Sequence, residues 1–204
     1  MENERIILGS GYLHIGTYDG KSPLPAPEDF CTDENIFSYI QGGATLEYKP
    51  TKVTAVDDMG KVSKETITEE EAILKSGIMT FCGNTLETLC DTARVSQREA
   101  GLGGGKKKHR VVKVGGIANK KNSKYIICFH HIDPVDGDIW IMIVGSNQAG
   151  FALTFAKDKE TVVDAEFKAF PQDKEGTLIL YEEEIVTPQP EAAAETTEGP
   201  TARK

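Results

Sequence analysis

The sequence predicts a mainly β fold with one or two short helices, and three observations carry that expectation. Residues Val163, Ala165, Phe167 and Ala169 alternate with Asp164, Glu166 and Lys168, giving the two-residue period of a strand with one dry face and one charged face. Glycine, proline and aspartate punctuate the chain at short intervals, as in Asp57-Asp58-Met59-Gly60 and in 133–138, DPVDGD, which marks turns between strands. Helical spacing, in contrast, is confined to two short stretches.

From the start, Ile6 to Thr17 predicts a strand interrupted by Gly9, Gly11 and Gly16. Residues 21–30 form a proline-rich arm with Pro23, Pro25 and Pro27, expected as an extended surface loop because proline fixes φ and removes backbone donors. Gly42 and Gly43 introduce a strand in which Leu46 and Tyr48 alternate with Thr45, Glu47 and Lys49, and the turn at 57–60 makes it the first half of a hairpin. Thr68 followed by Glu71 fits a capping box, so Ala72 to Leu74 are expected as a short helix ended by Gly77, with a strand from Ile78 to Cys82 after it. A second helix is expected from Asn84 or Thr85 through Arg94, with Leu86, Leu89, Cys90 and Ala93 forming its apolar stripe. Val111 to Val114, Lys124 to His130 and Asp138 to Val144 predict core strands, with Trp140 as a packing residue. From Gly150 to Glu184 three strand-like runs follow one another, and 185–204 is too poor in large apolar residues to pack, so it is expected as a mobile tail.

At 204 residues the chain suits one well-packed domain, placed at 1–184. With 39% hydrophobic and 27% charged residues it has the composition of a globular protein, and the apolar run Ile139 to Val144 is too short to span a bilayer. Its opening residues lack the long apolar centre of a signal peptide, so synthesis in the cytoplasm is expected. A net charge of −9 disfavours gripping nucleic acid through its phosphates, without excluding a protein that lets DNA slide past. Cys31, Cys82, Cys90 and Cys128 are expected as free thiols.

Two tempting motifs fail on inspection. The glycine and lysine loop at 100–110 lacks a Walker A pattern, since Ala100 stands at its first glycine and Lys107 where a serine or threonine would bind magnesium. Nor is it a dinucleotide fingerprint, since Lys106 occupies the place of the third glycine after Gly101 and Gly103. Cys128 with His130 and His131 has neither CxxC nor HxxxH spacing, and successive strand residues face opposite ways. No metal site, cofactor or catalytic residue is therefore expected. Residues Gly103, Gly104, Gly105, Lys106, Lys107 and Lys108 are instead expected either as an inter-subunit loop whose positive charge meets an acidic surface of a neighbour or as a solvated loop, with the two readings equally open.

The order of parts, 42–62 GGATLEYKPTKVTAVDDMGKV, 67–81 ITEEEAILKSGIMTF and 150–184 GFALTFAKDKETVVDAEFKAFPQDKEGTLILYEEE, resembles the major tail tube proteins of long-tailed (siphovirus-type) bacteriophages. The resemblance covers about residues 5–184 and is strongest from Gly150 onward. It implies a tail-tube-like β-sandwich or barrel, flanked by a helix, whose sheets join between subunits in hexameric rings that stack into a hollow tube. The implied function is that of a virion structural protein, made in the host bacterial cytoplasm, that conducts the genome into the host. Implied partners are further copies of the chain and tape-measure, baseplate or tail-tip, and tail-terminator proteins, with DNA passing without adhesion. Within that frame Asp164 and Glu166 are expected to face the lumen with Lys168 moderating their charge, although Glu47 and Lys49 alternate equally well.

Three alternatives remain at this level. One is another ring protein of a phage or contractile injection machine, such as a tail terminator or contractile tube. Another is a small cysteine-dependent enzyme pairing Cys128 with His109 or His130, and the third is a monomeric binding module that docks a partner through Trp140.

Overall fold

A computed structural model describes residues 6–100 and 107–186. Its strands are β1 (Gly11–Tyr18), β2 (Ile36–Ser38), β3 (Ile40–Val56), β4 (Ser63–Ile78), β5 (Arg94–Ala100), β6 (Lys107–Lys113), β7 (Lys124–His131), β8 (Ile139–Asn147), β9 (Val163–Phe170) and β10 (Leu180–Glu183), with helices α1 (Pro27–Phe30) and α2 (Gly83–Leu89). The mainly β expectation holds, and every strand pair is antiparallel.

Eight strands form one sheet, seven of them in the order β2-β1-β7-β8-β9-β4-β3 with β10 paired to β8 off that path, and β5 with β6 forms a separate hairpin. The sheet forks at β8, because Ile139 to Met142 pair with β10 whereas Val144 to Asn147 pair with β9. Gly145 sits at this fork, where an added Cβ would lie 2.4 Å from the carbonyl oxygen of Lys168, so the close approach of the two strands requires glycine. Leu13 of β1, Ile127 and Phe129 of β7, Ile143 of β8, Val163, Ala165 and Phe167 of β9, and Leu74 and Ile78 of β4 share one core cluster, to which Ile40 and Leu46 of β3 add. The sheet must therefore curl around that core.

Curling stops short of a closed barrel: β2 pairs with β1 and β3 pairs with β4. Tyr39 alone separates β2 from β3, so the chain crosses there from one end of the sheet to the other. Thr80 secures that crossing, its Oγ1 accepting from the Tyr39 N–H at 3.0 Å and its carbonyl accepting from the Ser38 hydroxyl at 2.7 Å.

Several local expectations are corrected. Residues 68–77 are not a helix but part of β4, in whose inner half Ala72, Leu74, Ser76 and Ile78 are buried in strict alternation. Pairing with β3 on one edge and β9 on the other gives those backbone groups a better outlet than a single helical turn, overriding the capping pattern. β4 ends at Ile78, so no strand runs from there to Cys82. The second helix is shorter than expected: α2 stops at Leu89, and Arg94 already belongs to β5. Of the three runs after Gly150, Phe151 to Phe155 are not a strand, whereas β9 and β10 are.

The proline-rich arm is not a plain surface loop. Pro27 opens α1, as suits a residue whose missing N–H would be unpaired there anyway, and Pro27 and Phe30 are buried. Phe30, with Leu24 and Cys31, packs on Ile126, Cys128, Trp140 and Met142, a second cluster on the opposite face of β7 and β8 from the main core. The arm thus covers part of the sheet that would otherwise expose an apolar face. Of the expected tail, Ile185 and Val186 follow β10, and 187–204 lie outside the described residues.

Candidate assembly surface

Antiparallel register fixes which side chains share a face. Opposite β9, Lys168 pairs with Ile73, Glu166 with Lys75 and Asp164 with Gly77; opposite β4, Glu47 pairs with Ile73, Thr45 with Lys75 and Lys49 with Glu71. Asp164, Glu166 and Lys168 therefore occupy the same face as Glu47 and Lys49, and the two sequence alternatives merge into one surface over β9, β4 and β3. The dry and charged faces of β9 are as expected, with Val163, Ala165, Phe167 and Ala169 buried and Asp164 exposed.

The charges on this face are cross-linked. Lys75 Nζ lies 2.8 Å from a Glu47 carboxylate oxygen and 3.8 Å from Glu166, Lys49 lies 2.6 Å from Glu47, and Lys168 lies 2.7 Å from Glu71. The hydrogen bond from Lys49, followed by that from Lys75, holds the Glu47 carboxyl at about 2. Because this value is depressed, the stabilisation from Glu47 is present above the ordinary carboxylate range and is lost as pH falls through that range toward about 2. Glu71 is lowered by Lys168, and Lys168 and Lys75 are raised by Glu71 and Glu47 respectively. Each lysine is thus engaged by carboxylates, and Asp164 stands outside these pairs.

Beyond the body, β3 and β4 continue as a projecting hairpin in which residues 49–70 are exposed on both strands. The outer edge of β3, an end strand of the sheet, pairs with nothing among the described residues. Such an edge presents a row of backbone donors and acceptors to a second chain.

The other hairpin is strongly basic. Arg94, Arg98, Lys107, Lys108, Arg110 and Lys113 stand against the lone carboxylate Glu99 in β5 and β6. Register puts Arg94, Arg98, Lys107, His109 and Lys113 on one of its faces. Like charges facing one another across a ladder are destabilising, as with Arg94 opposite Lys113, so this face carries positive charge that the hairpin itself does not balance. Of the expected inter-subunit loop, Lys107 and Lys108 lie in β6, and Gly103, Gly104, Gly105 and Lys106 lie outside the described residues. Val95, Val111 and Val112 are half-buried at the base, where α2 packs.

A second constellation joins Cys128 and His130, which the sequence reading weighed as metal ligands and set aside, to two residues it had not linked to them. Cys128 and His130, two apart on β7, share the face on which β1 places Tyr12 and His14 directly opposite His130 and Cys128. Cys31, at the end of α1, descends onto them. One ligand-type atom each from His14, Cys31 and His130 lies within 4.8 Å of the others, and the thiols of Cys31 and Cys128 are 3.3 Å apart. His131 falls on the opposite face, buried, with Nδ1 2.8 Å from the Ser10 carbonyl oxygen. The thiol hydrogen bond from Cys31, and then burial, push the Cys128 pKa up; burial, and then the charge of His130, push that of His14 down. A nucleophilic cysteine needs access and a depressed pKa, and Cys128 has neither. His109, its other proposed base, lies on the exposed β6 arm.

No family model matches the chain, and no curated protein matches it. Among the described residues no helix is long and apolar enough to cross a membrane.

Proposed function

We propose that this chain is a non-enzymatic structural subunit of a phage tail tube, assembling into hexameric rings that stack into the conduit for genome ejection into a bacterium. The observation that carries the reading is the outer edge of the 17-residue β3, unpaired among the described residues, beside the charged β9, β4 and β3 face. Monomeric proteins commonly protect an edge of that length, and joining edges around a ring satisfies its donors and acceptors while closing a barrel that one copy leaves open. The chain-order resemblance to tail tube proteins supports the same arrangement. Tape-measure, tail-tip and terminator proteins are the partners of such a tube, and the virion tail is its location.

In this arrangement the face bearing Asp164, Glu166 and Lys168 lines the lumen. Its lysines are held by carboxylates and are not free to grip phosphates, so DNA slides past without salt-sensitive contacts. Electron microscopy of the assembled protein tests the assembly, with tubes expected and single rings favouring a terminator. The lumen assignment has its own test. Asp164→Lys combined with Glu166→Lys is expected to leave tubes intact and to slow genome release in particles carrying it, measured as DNA release over time after receptor triggering. Unchanged release kinetics would remove this face from the lumen.

A further inference from the structure

We propose that His14, Cys31, Cys128 and His130 form a structural site for a soft divalent metal ion of the zinc type, which fastens the proline-rich arm to the sheet. This inference stands independently of the tube assignment. Two thiols and two imidazoles are a ligand set that zinc takes in closed tetrahedral sites, with bonds of about 2.0–2.3 Å. Such bonds place neighbouring donor atoms about 3.3–3.8 Å apart. The donor atoms of His14, Cys31 and His130 are already within 4.8 Å of one another, and the Cys128 sulfur stands 3.3 Å from that of Cys31, so Cys128 is the fourth ligand that side-chain movement has to bring in.

The second observation is independent of the clustering. His14 is 3% exposed, and neither of its ring nitrogens makes a well-formed hydrogen bond, the Thr32 backbone giving the ring only weak polar support. A buried imidazole without such a bond is costly, and coordination through one nitrogen removes one of the two orphans. A disulfide between Cys31 and Cys128 would leave both. His130 is held as metal-bound histidines commonly are: Nε2 is 2.8 Å from Oδ2 of Asp138, which leaves Nδ1 to ligate, and its ring stacks on Trp140 with centroids 5.1 Å apart. On binding, each thiol releases its proton to solvent and the resulting thiolate donates to the metal, while the imidazoles bind neutral.

The sites of attachment define the consequence. Cys31 directly follows the arm as the C-cap of α1, His14 belongs to β1, and Cys128 and His130 belong to β7, so one ion links three segments of the chain. Without metal the arm is held mainly by packing of Phe30 and Leu24.

The test uses the full chain, purified under reducing, anaerobic conditions and titrated with cobalt and then zinc. Expected is one cobalt per chain, with the intense visible bands of tetrahedral coordination and sulfur-to-cobalt charge transfer, displaced by zinc. At zinc about a hundredfold above its Kd, the Tm should rise by about 5 °C or more. Cys31→Ser and His130→Gln should each weaken binding by about a hundredfold or more, and Asp138→Asn by about 10–100-fold. The wild-type cobalt spectrum decides the matter even where a variant fails to fold. Absence of the sulfur bands, cobalt binding retained in Cys31→Ser, or a Cys31–Cys128 disulfide in the anaerobic protein would each overturn the site.

Discussion

Phe167→Ala is expected to destabilise the fold by about 3–5 kcal/mol, the range for truncating a buried aromatic residue. Phe167 is fully buried in the middle of β9, between Leu74 of β4 and Asn147 of β8 in the register, and contributes to the main core. Its loss removes apolar burial and leaves a cavity at the centre of the sheet, which neighbours paired on both sides cannot collapse to fill. For a chain of this size that corresponds to a fall in Tm of roughly 10 °C, read by thermal unfolding. Phe155→Ala provides the contrast, since Phe155 is 78% exposed and its truncation is expected to change stability by no more than about 0.5 kcal/mol. Equal shifts in the two variants would contradict the placement of β9 in the core.

Arg98→Glu combined with Lys107→Glu is expected to abolish assembly while leaving the monomer's melting temperature nearly unchanged. Both residues lie on the same face of the β5–β6 arm with Arg94, His109 and Lys113, and both are exposed. Exposed single charges contribute little to the stability of their own fold. Between copies, several cations meeting an acidic surface set register and encounter rate, and reversing two of them turns attraction into repulsion. In the proposed assembly the exposed Glu69 and Glu70 of the β3–β4 hairpin would supply carboxylates for that contact, in a chain whose net charge is −9. Sedimentation across a salt series reads the effect: wild-type assembly should weaken as salt rises, and the variant should remain monomeric throughout. Tubes of normal length from the variant would remove the arm from the contacts between copies.

How much of this was legible in the sequence depended on whether a signal was local. The alternation in β9 is complete within seven residues, and the β3–β4 turn at Asp57 to Gly60 is equally self-contained; both stand as expected. β4 failed because Thr68 and Glu71 satisfy a local helix-capping rule, whereas part of the competing information, the β9 partner on its second edge, comes from residues far away in the chain. The arm's docking was hidden for the same reason: Leu24 and Phe30 find their apolar partners more than ninety residues later, in β7 and β8. The charged face was visible as two separate alternating strands, and strand order was needed to unite them. At the cysteine and histidine cluster, the two-residue spacing of Cys128 and His130 on an apolar strand was a usable signal, since it puts both on one face. His14 and Cys31 carried no spacing that could have joined them to it.

The measurement that bears most directly on the central proposal is a cryo-electron microscopy reconstruction of the assembled protein at a resolution that traces strands. Six copies around a hollow axis are predicted, with the β3 edge hydrogen-bonded to a strand of the adjacent copy and the face of Asp164 and Glu166 turned inward. A reconstruction in which the β3 edge faces solvent and the copies meet without strand pairing would contradict the account.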